Sequence, residues 1–258
     1  MADLKNKTII TVAPTGAWPK KENNPNVPLT PREIADEVYE CWKCGAAVAH
    51  LHMRDDEGNG TMNKDKFIET VGYIKEHYPE IMVIADAKRG DIGNTAGRYA
   101  KAFFENMPCD AVTLSPYMGR DAIAPFLAYE GKWAVVLGLT SNASAADFEL
   151  EGGLYKSVIS KAMEWGTPDN LMFVAGATRP EMLGGIRSIC PDNFLLVPGV
   201  GTQGGSVAEV AKYGLNMRCG LLVNSSRGII YASKGEDFAE AASAAAGSLA
   251  AQMRPGLG

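Results

Sequence analysis

Short apolar runs alternate with longer segments of helical periodicity along the chain, and this alternation constrains the fold more than any other feature. Eight runs rich in valine, isoleucine and leucine are separated by helical segments. Such a pattern is typical of a parallel β-sheet covered by helices, because both faces of that sheet are buried. The predicted strands are 8–13, 46–52, 81–87, 110–115, 133–140, 171–175, 194–198 and 219–224, and the predicted helices are 31–43, 64–77, 95–105, 121–127, 154–164, 179–188, 206–213 and 236–252.

Eight strand–helix units in 258 residues favour one closed barrel over an open doubly wound sheet. An open dinucleotide-binding sheet would carry a glycine fingerprint after its first strand, and the run APTGA at 13–17 is not one. The sequence therefore predicts an α/β protein, a single (β/α)8 TIM barrel over 1–258. In such barrels the active site lies at the carboxyl ends of the strands.

Charge and hydropathy argue against several classes of function. The net charge is -5, whereas a general nucleic-acid binder needs a basic surface, so only a local anion site is compatible with the composition. The chain has no apolar stretch long enough to span a membrane, and its first residues do not have the pattern of a signal peptide. We expect a cytoplasmic protein that binds neither nucleic acid nor membranes.

Charged residues stand at the end of the otherwise apolar third strand. Asp86 and Lys88 are two residues apart, so both side chains point to one face of the strand, which is the barrel mouth. Asp91 follows across a glycine turn and can return to the same site or reach a partner subunit. A salt-bridged strand end is the simpler structural interpretation. Because charge is costly at such a place unless it is used, we expect a functional site.

The segments after the seventh and eighth strands have the composition of an anion site. The run PGVGTQGG at 198–205 exposes backbone N–H groups, and a helix N-terminus adds positive potential. Arg227 follows the eighth strand and can bind a phosphate through two parallel hydrogen bonds. Glycine-rich turns often do no more than close a tight turn. Loops seven and eight are, however, the recurrent phosphate site of barrel enzymes, so we expect phosphate binding here.

Together these segments resemble the orotidine 5′-phosphate decarboxylase family. The resemblance covers residues 79 to about 234 in family order and nearly without gaps. It is carried by DAKRGDIGNT at 86–95, DAVTLSPYMG at 110–119, LTSN at 139–142, VAGAT at 174–178, PGVGTQGG at 198–205 and NSSRGIIYAS at 224–233.

This resemblance implies a carboxy-lyase of pyrimidine biosynthesis that converts orotidine monophosphate to uridine monophosphate without a cofactor. Lys88 would protonate the C6 carbanion as carbon dioxide leaves, and Asp86 would lie against the substrate carboxylate and disfavour the ground state. Asp91 would cross a homodimer interface to bind the ribose and hold Lys88 charged. The residues implied to bind this nucleotide monophosphate are Thr95 near the ribose, Ser141 and Asn142 at the pyrimidine edge, and Gly201, Gln203, Ser226 and Arg227 at the phosphate.

The first two units do not match that family, which has an aspartate at the end of the first strand and a lysine at the end of the second. Residues 7 to about 75 instead resemble the β-keto acid cleavage enzymes, through TVAPTG at 11–16, NPNVPLTPREIA at 24–35 and GAAVAHLHMRD at 45–55. In that family an HxH pair binds zinc, which polarises a keto acid for condensation with acetyl-coenzyme A. His50 and His52 share one strand face and are suitable zinc ligands. The family's carboxylate ligand near the eighth strand has no counterpart.

The sequence therefore predicts a chimeric, engineered barrel in which 1–78 form the keto-acid-cleavage-like units and 79–258 the decarboxylase-like units. Three functions remain open. The first is a working or residual decarboxylase, whose missing charges are expected to lower the rate because catalytic groups act as a unit. The second is a scaffold that binds phosphate and zinc without turnover, and the third is a zinc-dependent keto-acid cleavage enzyme. Lys20, Lys21 or Arg54 could replace the missing lysine if the fold brings one of them to the site, and Asp86 would leave Lys88 if it became a third zinc ligand.

Overall fold

Eight parallel strands pair in chain order and close into a barrel in the computed structural model, which describes residues 9–16, 19–201, 205–225, 227–233 and 235–253. The strands are β1 (Ile9–Val12), β2 (Val48–His50), β3 (Met82–Arg89), β4 (Ala111–Leu114), β5 (Trp133–Leu139), β6 (Leu171–Ala175), β7 (Leu195–Pro198) and β8 (Leu221–Asn224). The sheet is closed by the pairing of β1 with β8. The predicted (β/α)8 barrel is confirmed.

The helices alternate with the strands, as the sequence predicts. They are α1 (Pro31–Lys43), α2 (Lys64–His77), α3 (Gly93–Lys101), α4 (Arg120–Leu127), α5 (Leu154–Met163), α6 (Met182–Ile189), α7 (Val207–Gly214), α8 (Arg227–Ile230) and α9 (Phe238–Gln252). Within the described part of the chain, the hydrophobic pattern does not indicate the short α8 or the two 3-10 helices, Ala143–Asp147 and Glu151–Gly153. Within the described ranges, no helix is both long and apolar enough to cross a membrane.

Most helix ends lie within two residues of the prediction, and two, the end of α3 and the start of α6, differ by more. The α3 segment continues beyond Lys101 as a π-helical turn, Ala102–Asn106. The α6 helix begins at Met182 rather than at 179, because the hydroxyl of Thr178 donates a hydrogen bond to the carbonyl of Ser141 (3.0 Å) instead of capping a helix. That hydrogen bond ties the segment after β6 to the loop after β5.

The start of α1 follows directly from its sequence. The hydroxyl of Thr30 accepts a hydrogen bond from the N–H of Glu33, and the Glu33 carboxylate accepts from the N–H groups of Leu29 (2.9 Å) and Thr30 (3.0 Å). These backbone hydrogen bonds, together with the nearby ammonium of Lys21, lower the pKa of Glu33 to about 2. The capping box thus begins the helix at Pro31, where the sequence predicts it.

Alternate residues of each strand face the barrel interior and the surrounding helices. On the outer face, Val112 and Leu114 of β4 belong to the same apolar cluster as Ile123 and Phe126 of α4. The interior is filled by a second cluster, Val48, Ile84, Ala111, Val135, Met172, Val174, Phe194 and Leu222. Polar groups at the ends of the strands therefore stand above an apolar floor.

A half-buried ion cluster ties the second unit to the fourth. The ammonium of Lys75, in α2, lies 2.9 Å from Asp110 Oδ2 and the ammonium of Lys132 lies 3.6 Å from Asp110 Oδ1. The N–H of Val83 in β3 also donates to Asp110 Oδ2, at 2.8 Å. Asp110 thus links α2, β3 and the segment before β5.

Candidate active site

A cavity of about 480 Å³ opens at the carboxyl ends of the strands. One side of it is lined by polar groups of β1, β2, β3 and β8, which are Thr11, His50, Asp86, Lys88 and Asn224. The loop after β5 lines it with Thr140, Ser141, Asn142 and Glu149, and apolar side chains of Ile84, Leu137, Val174 and Leu196 complete its wall. The cavity therefore joins a charged, a polar and an apolar surface at the place where barrel enzymes hold their substrates.

The charged pair predicted from the third strand is present. Lys88 Nζ lies 2.6 Å from Asp86 Oδ1, and the hydroxyl of Thr113, in β4, donates to the same oxygen at 2.9 Å. Burial acts to raise the pKa of Asp86, but the hydrogen bond and charge of Lys88, with smaller effects from His50 and Thr113, hold that pKa below its usual value. Asp86 is therefore ionised at neutral pH and fixed at two points.

The end of β3 is distorted where it carries Lys88. The pairing of β3 with β4 shifts register between Ala85 and Arg89, and Lys88 has a φ of 46°. This left-handed conformation is unfavourable for a residue with a side chain, and such residues occur at functional sites that hold them in place. Here the Lys88 N–H donates to the hydroxyl of Thr113 at 2.9 Å. Thr113 therefore holds both members of the pair, a role that its place in an apolar strand signals only weakly.

His50 occupies the end of β2, next to the charged pair. The side-chain amide of Asn224 donates to His50 Nδ1 at 3.0 Å, which leaves the ring proton on Nε2, 3.9 Å from Asp86 Oδ2. Burial lowers the pKa of His50, although the Asp86 carboxylate acts in the opposite direction. The imidazole is therefore neutral at neutral pH, at the strand end where the resemblance to the decarboxylases leads one to expect a lysine.

The arrangement does not fit the zinc site expected at His50 and His52. The two rings stack with their centroids 4.5 Å apart and their planes 21° from parallel. Asp86 Oδ1 is engaged by Lys88 and Thr113, so Asp86 does not leave Lys88 to become a third ligand. Among the described residues, no group of three or more His, Cys, Asp or Glu side chains could hold a metal ion.

None of the three basic residues considered as replacements for the missing lysine reaches the charged pair. Arg54 is completely buried, and its guanidinium donates to the carbonyl of Gly16 at 2.7 Å. Lys21 pairs with Glu33 at 2.9 Å, and the Lys20 ammonium lies 3.4 Å from the carbonyl of Glu57. Their side chains are engaged by the loops after β1 and β2 and by the start of α1, so none of the three completes the array around Asp86.

The loop after β5 carries the predicted pyrimidine-binding residues, and both Ser141 and Asn142 line the cavity. A Cβ atom at position 176 would lie 2.7 Å from Ser141 Cα, so only glycine fits at Gly176. Glu149 holds the start of this loop, because its carboxylate accepts from the N–H of Thr140 (2.6 Å) and lies 2.8 Å from the Thr140 hydroxyl. Glu149 cannot be identified from the sequence, since nothing in the linear order of residues indicates that the loop folds back.

Asp91 and Thr95 do not line this cavity within one chain. Asp91 follows β3, and its carboxylate accepts a hydrogen bond from the N–H of Ile92 at 2.8 Å. Thr95 is exposed in the first turn of α3. The predicted contact of Asp91 with Lys88 across a dimer interface stays a prediction.

The predicted phosphate site falls largely outside the described residues. Gln203 and Ser226 lie outside them, as does the side chain of Arg227, whose backbone begins α8. Gly201 is described, and it has a φ of 78° and donates its N–H to the carbonyl of Gly205 at 3.0 Å. A backbone hydrogen bond therefore joins Gly201 and Gly205, and the phosphate-binding role of this segment stays a prediction.

Comparison with known proteins shows similarity to two barrel families. The sequence profile of the beta-keto acid cleavage enzymes matches residues 7–120. The orotidine 5′-phosphate decarboxylase of Bacteroides fragilis is 52% identical over 202 residues, covering 76% of this chain and 74% of that protein. The orotidine 5′-phosphate decarboxylase of Flavobacterium johnsoniae is 57% identical over 178 residues, covering 67% of this chain and 65% of that protein.

Solved structures with the same fold include an OMP decarboxylase and a UMP synthase. The OMP decarboxylase of Leishmania donovani superposes with a TM-score of 0.74 and 28% identity, covering 97% of this chain and 96% of that one. The UMP synthase of the same organism has a TM-score of 0.76 and 30% identity, and covers 96% of this chain. This chain spans about half of that synthase, 54% of its length.

The two regions of sequence similarity overlap. The profile match at 7–120 and an alignment over 76% of the chain together exceed the length of the chain, so they do not meet at a single boundary. The predicted division after residue 78 therefore stays a prediction. Identity of about one half with curated relatives, over most of their length, shows that the chain belongs to the orotidine 5′-phosphate decarboxylase family.

Proposed function

We propose that the protein decarboxylates orotidine 5′-monophosphate to uridine 5′-monophosphate, with turnover reduced by an incomplete charged array. The observation that carries the proposal is the Asp86–Lys88 pair, with its 2.6 Å contact, at a cavity of about 480 Å³. A cavity of this size suits a ligand such as a nucleotide monophosphate.

The chemistry follows from the position of the pair. The bond between C6 and the substrate carboxylate breaks, carbon dioxide leaves, and the electron pair stays on C6. The Lys88 ammonium donates a proton to C6, and the resulting amine regains a proton from solvent. Asp86 keeps the ammonium in place and repels the substrate carboxylate, which raises the energy of the bound substrate. We propose no cofactor for these steps.

The reduced turnover follows from the charge beside Asp86. His50 is neutral and its Nε2 is 3.9 Å from Asp86 Oδ2, which is too long for a hydrogen bond. A neutral ring stabilises the array less than an ammonium would, since charge-assisted contacts are the stronger ones. Grouped catalytic residues act as a unit, so the loss of one charge lowers the rate of decarboxylation as a whole.

The two ends of the substrate would be bound by the loops around the cavity. Ser141, with Asn142, would bind the pyrimidine edge, and this is supported by their place on the wall of the cavity that Asp86 and His50 also line. Backbone N–H groups near Gly201, with Gln203, Ser226 and Arg227, would bind the phosphate. The support is the backbone hydrogen bond between Gly201 and Gly205 and the position of Arg227 at the start of α8.

We also propose a homodimer in which Asp91 and Thr95 of each chain reach the cavity of the other. Asp91 is outside the cavity of its own chain but only three residues from Lys88. Nearby side chains leave apolar surface exposed, with exposed fractions of 52% for Ile92, 88% for Tyr117 and 46% for Met118. Exposed apolar patches of this kind are typical of protein interfaces.

The division of the chain into units of different ancestry is likewise a proposal. It is supported by the keto-acid-cleavage match over 7–120, which includes the two units that lack the decarboxylase residues. In the first two units, Thr11 of β1 and His50 of β2 line the cavity in place of the aspartate and the lysine of the decarboxylases. A fusion of barrel units from two families, whether natural or engineered, accounts for a cavity lined by residues that resemble two different families.

The test is decarboxylation of orotidine 5′-monophosphate, followed by the loss of substrate absorbance, with and without a chelator. We expect slow turnover that the chelator does not change and that Lys88→Ala abolishes. Lys101→Ala is the matched control, because Lys101 makes an exposed ion pair with Glu105 and is expected to leave the rate unchanged.

Other outcomes would favour a different function or contradict the role assigned to Lys88. Absence of turnover together with binding of uridine 5′-monophosphate would leave the phosphate-binding scaffold. Turnover that survives Lys88→Ala would contradict the assigned role of Lys88. Chelator-sensitive cleavage of a β-keto acid with acetyl-coenzyme A would favour the keto-acid cleavage enzyme.

A further inference from the structure

Two cysteines stand at the end of α1, away from the cavity. Cys41 lies in the last turn of the helix and Cys44 is the residue that caps it, and both are free thiols. The side chain of Cys44 is exposed, whereas Cys41 is only partly exposed. Because α1 leads into the start of β2, the pair lies at the end of the barrel opposite the mouth. The decarboxylation proposed above uses neither thiol.

The backbone brings these two residues within reach of each other. The N–H of Cys44 donates to the carbonyl of Cys41 at 3.1 Å. Such a bond closes a turn whose end Cα atoms are less than about 7 Å apart, and disulfides span about 4.4–6.8 Å between Cα atoms. Gly45 follows with a φ of 105°, so the helix ends here and the backbone can adjust at this point. A disulfide between Cys41 and Cys44 therefore fits the end of the helix.

The setting of the pair argues against the two other roles of a CxxC sequence. A structural zinc ion needs four ligands, and in the described part of the chain no third His, Cys, Asp or Glu joins Cys41 and Cys44 in a group that could hold a metal. The reactive thiol of a disulfide oxidoreductase is favoured at a helix N-terminus, where the helix dipole stabilises a thiolate. This pair lies at a helix C-terminus. Reversible oxidation of the pair itself is the chemistry that remains.

The two thiols differ in reactivity, and the difference gives the order in which they react. Cys44 is exposed and therefore accessible to an oxidant in solution. Burial, followed by the negative charge of Glu37, raises the pKa of Cys41 to about 12. The thiolate is the nucleophile of disulfide exchange, so Cys44 reacts first and Cys41 second.

A carboxylate stands beside the second thiol. Cys41 donates a long hydrogen bond to Glu37, with Sγ and Oε1 4.0 Å apart. Desolvation, together with the negative charge of Glu40, raises the pKa of Glu37, which makes its carboxylate a stronger base. Glu37 can thus accept the proton of Cys41 when that sulfur becomes a nucleophile. Glu37, Cys41 and Cys44 follow one another at helical spacing on one face of α1.

We propose that Cys41 and Cys44 form a redox modification site, at which a small disulfide such as oxidised glutathione converts the two thiols into a reversible intramolecular disulfide. The Cys44 thiolate attacks one sulfur of the small disulfide and releases one thiolate. Cys41 Sγ then attacks Cys44 Sγ, its proton passes to Glu37, and the second thiolate leaves. The protein thiols are oxidised, the small disulfide is reduced, and the two protons end on the two released thiols.

The bridge acts as a protective device for the exposed thiol and not as a structural crosslink. It closes a loop of only four residues, so it removes little entropy from the unfolded chain. A bridge at an exposed helix end is readily reduced again by thiols. An exposed cysteine without a neighbouring thiol would instead proceed to irreversible oxidation products. Cys41 therefore keeps the oxidation of Cys44 reversible.

The experiment treats the folded full-length protein with oxidised glutathione and follows its intact mass. We expect the loss of two hydrogen atoms, reversal by dithiothreitol, and a bond that peptide mapping locates between Cys41 and Cys44. Cys41→Ser is expected to accumulate a mixed disulfide of glutathione with Cys44. Cys44→Ser is expected to react at least about tenfold more slowly, because the remaining thiol is largely buried and protonated.

Two further variants test the role of Glu37. Glu37→Gln is expected to slow the conversion of the mixed disulfide into the bridge at least about threefold, because the proton acceptor is lost. The matched control is Glu40→Gln, which removes a charge of the same sign from a side chain that pairs with Lys43 at 2.6 Å, and it is expected not to slow that step. Equal slowing by both substitutions would contradict the role of Glu37.

The remaining cysteines provide the internal control. Cys109, Cys190 and Cys219 are at most 3% exposed, so a variant with serine at both 41 and 44 is expected to keep its mass under the same treatment. A mixed disulfide that persists on wild-type Cys44, a bond to a buried cysteine or to a second chain, or the absence of any reaction would overturn the proposal. None of these outcomes depends on decarboxylase activity, so the two proposals are tested separately.

Discussion

At the scale of single residues, the geometry of the charged pair depends on a threonine that carries no charge. Thr113 is completely buried in β4. Its hydroxyl donates to Asp86 Oδ1 and accepts from the N–H of Lys88, both at 2.9 Å. One hydroxyl therefore fixes the carboxylate and also the left-handed backbone that directs the ammonium. Thr113 is a positioning residue, because it acts through Asp86 and Lys88.

We expect Thr113→Val to lower kcat about tenfold and to change KM less, because misplacement of a catalytic group costs rate more than binding. Loss of the hydroxyl removes one of the contacts that hold the pKa of Asp86 low, so that pKa is expected to rise. Steady-state kinetics over a range of pH measure both effects. Thr113→Ser keeps the hydroxyl and is expected to restore most of the rate. Equal kcat in Thr113→Val and wild type would show that the pair positions itself without Thr113.

The sequence indicates some of these residues and not others, for a physical reason. Asp86 and Lys88 are two apart on one strand, so strand geometry alone predicts that they meet. The hydrogen bond between His50 and Asn224 joins residues 174 positions apart, and no local sequence pattern indicates such a contact. Glu149 and Thr113 act through polar contacts that form only when loops and strands assemble.

At the scale of elements, the alternation of apolar and helical segments predicts every strand of the barrel, whereas the ends of elements depend on tertiary contacts. The α1 helix begins where its capping box predicts, because all the groups involved are local. The α6 helix starts late because Thr178 finds a partner in Ser141, in the preceding loop. The register shift at the end of β3 is equally invisible in the sequence, since it depends on the contact of β3 with β4.

The contact between α2 and the segment before β4 provides a second prediction. Lys75 and Asp110 have side chains that are 20% and 22% exposed, and the Lys75 ammonium also donates to the carbonyls of Pro79 and Ile81. We expect Lys75→Met to lower the free energy of unfolding by about 1–3 kcal/mol, because it leaves carboxylate and carbonyl oxygens with fewer partners. Urea denaturation measures the change.

Lys161→Met is the matched control for that experiment. Lys161 pairs with Glu164 at 2.9 Å, but both side chains are mostly exposed, at 65% and 59%. Such a surface pair contributes little, so we expect a change below about 0.5 kcal/mol. Equal effects of the two substitutions would mean that the Asp110 cluster does not stabilise the junction between the early and later units.

At the scale of the whole molecule, one chain holds Asp86 and Lys88 in its cavity while Asp91 points elsewhere. In the homodimer that we propose, a second copy would supply that carboxylate. The proposed dimer surface includes Ile92, Tyr117 and Met118, which lie on the segments that follow β3 and β4.

Mixing two inactive variants tests the shared site. Lys88→Ala and Asp91→Ala are each expected to abolish turnover as homodimers. A mixed dimer contains one cavity that lacks both groups and one that retains both, so co-expression is expected to restore about a quarter of the wild-type rate when chains pair at random. Asp91→Ala chains that remain active alone, or mixtures that remain inactive although mixed dimers form, would contradict delivery of Asp91 across the interface.

The closure of β1 onto β8 also has a consequence for biosynthesis. A ribosome makes β1 long before it makes β8, so the earliest strand has one unpaired edge until the last strand emerges. Contacts between such distant segments form slowly, and an unpaired strand edge is a template for aggregation. The Asn224 amide that sets the tautomer of His50 arrives with that last strand. A nascent chain that stalls before β8 would therefore have both an exposed edge and an unfinished active site, and would be a natural client for chaperones.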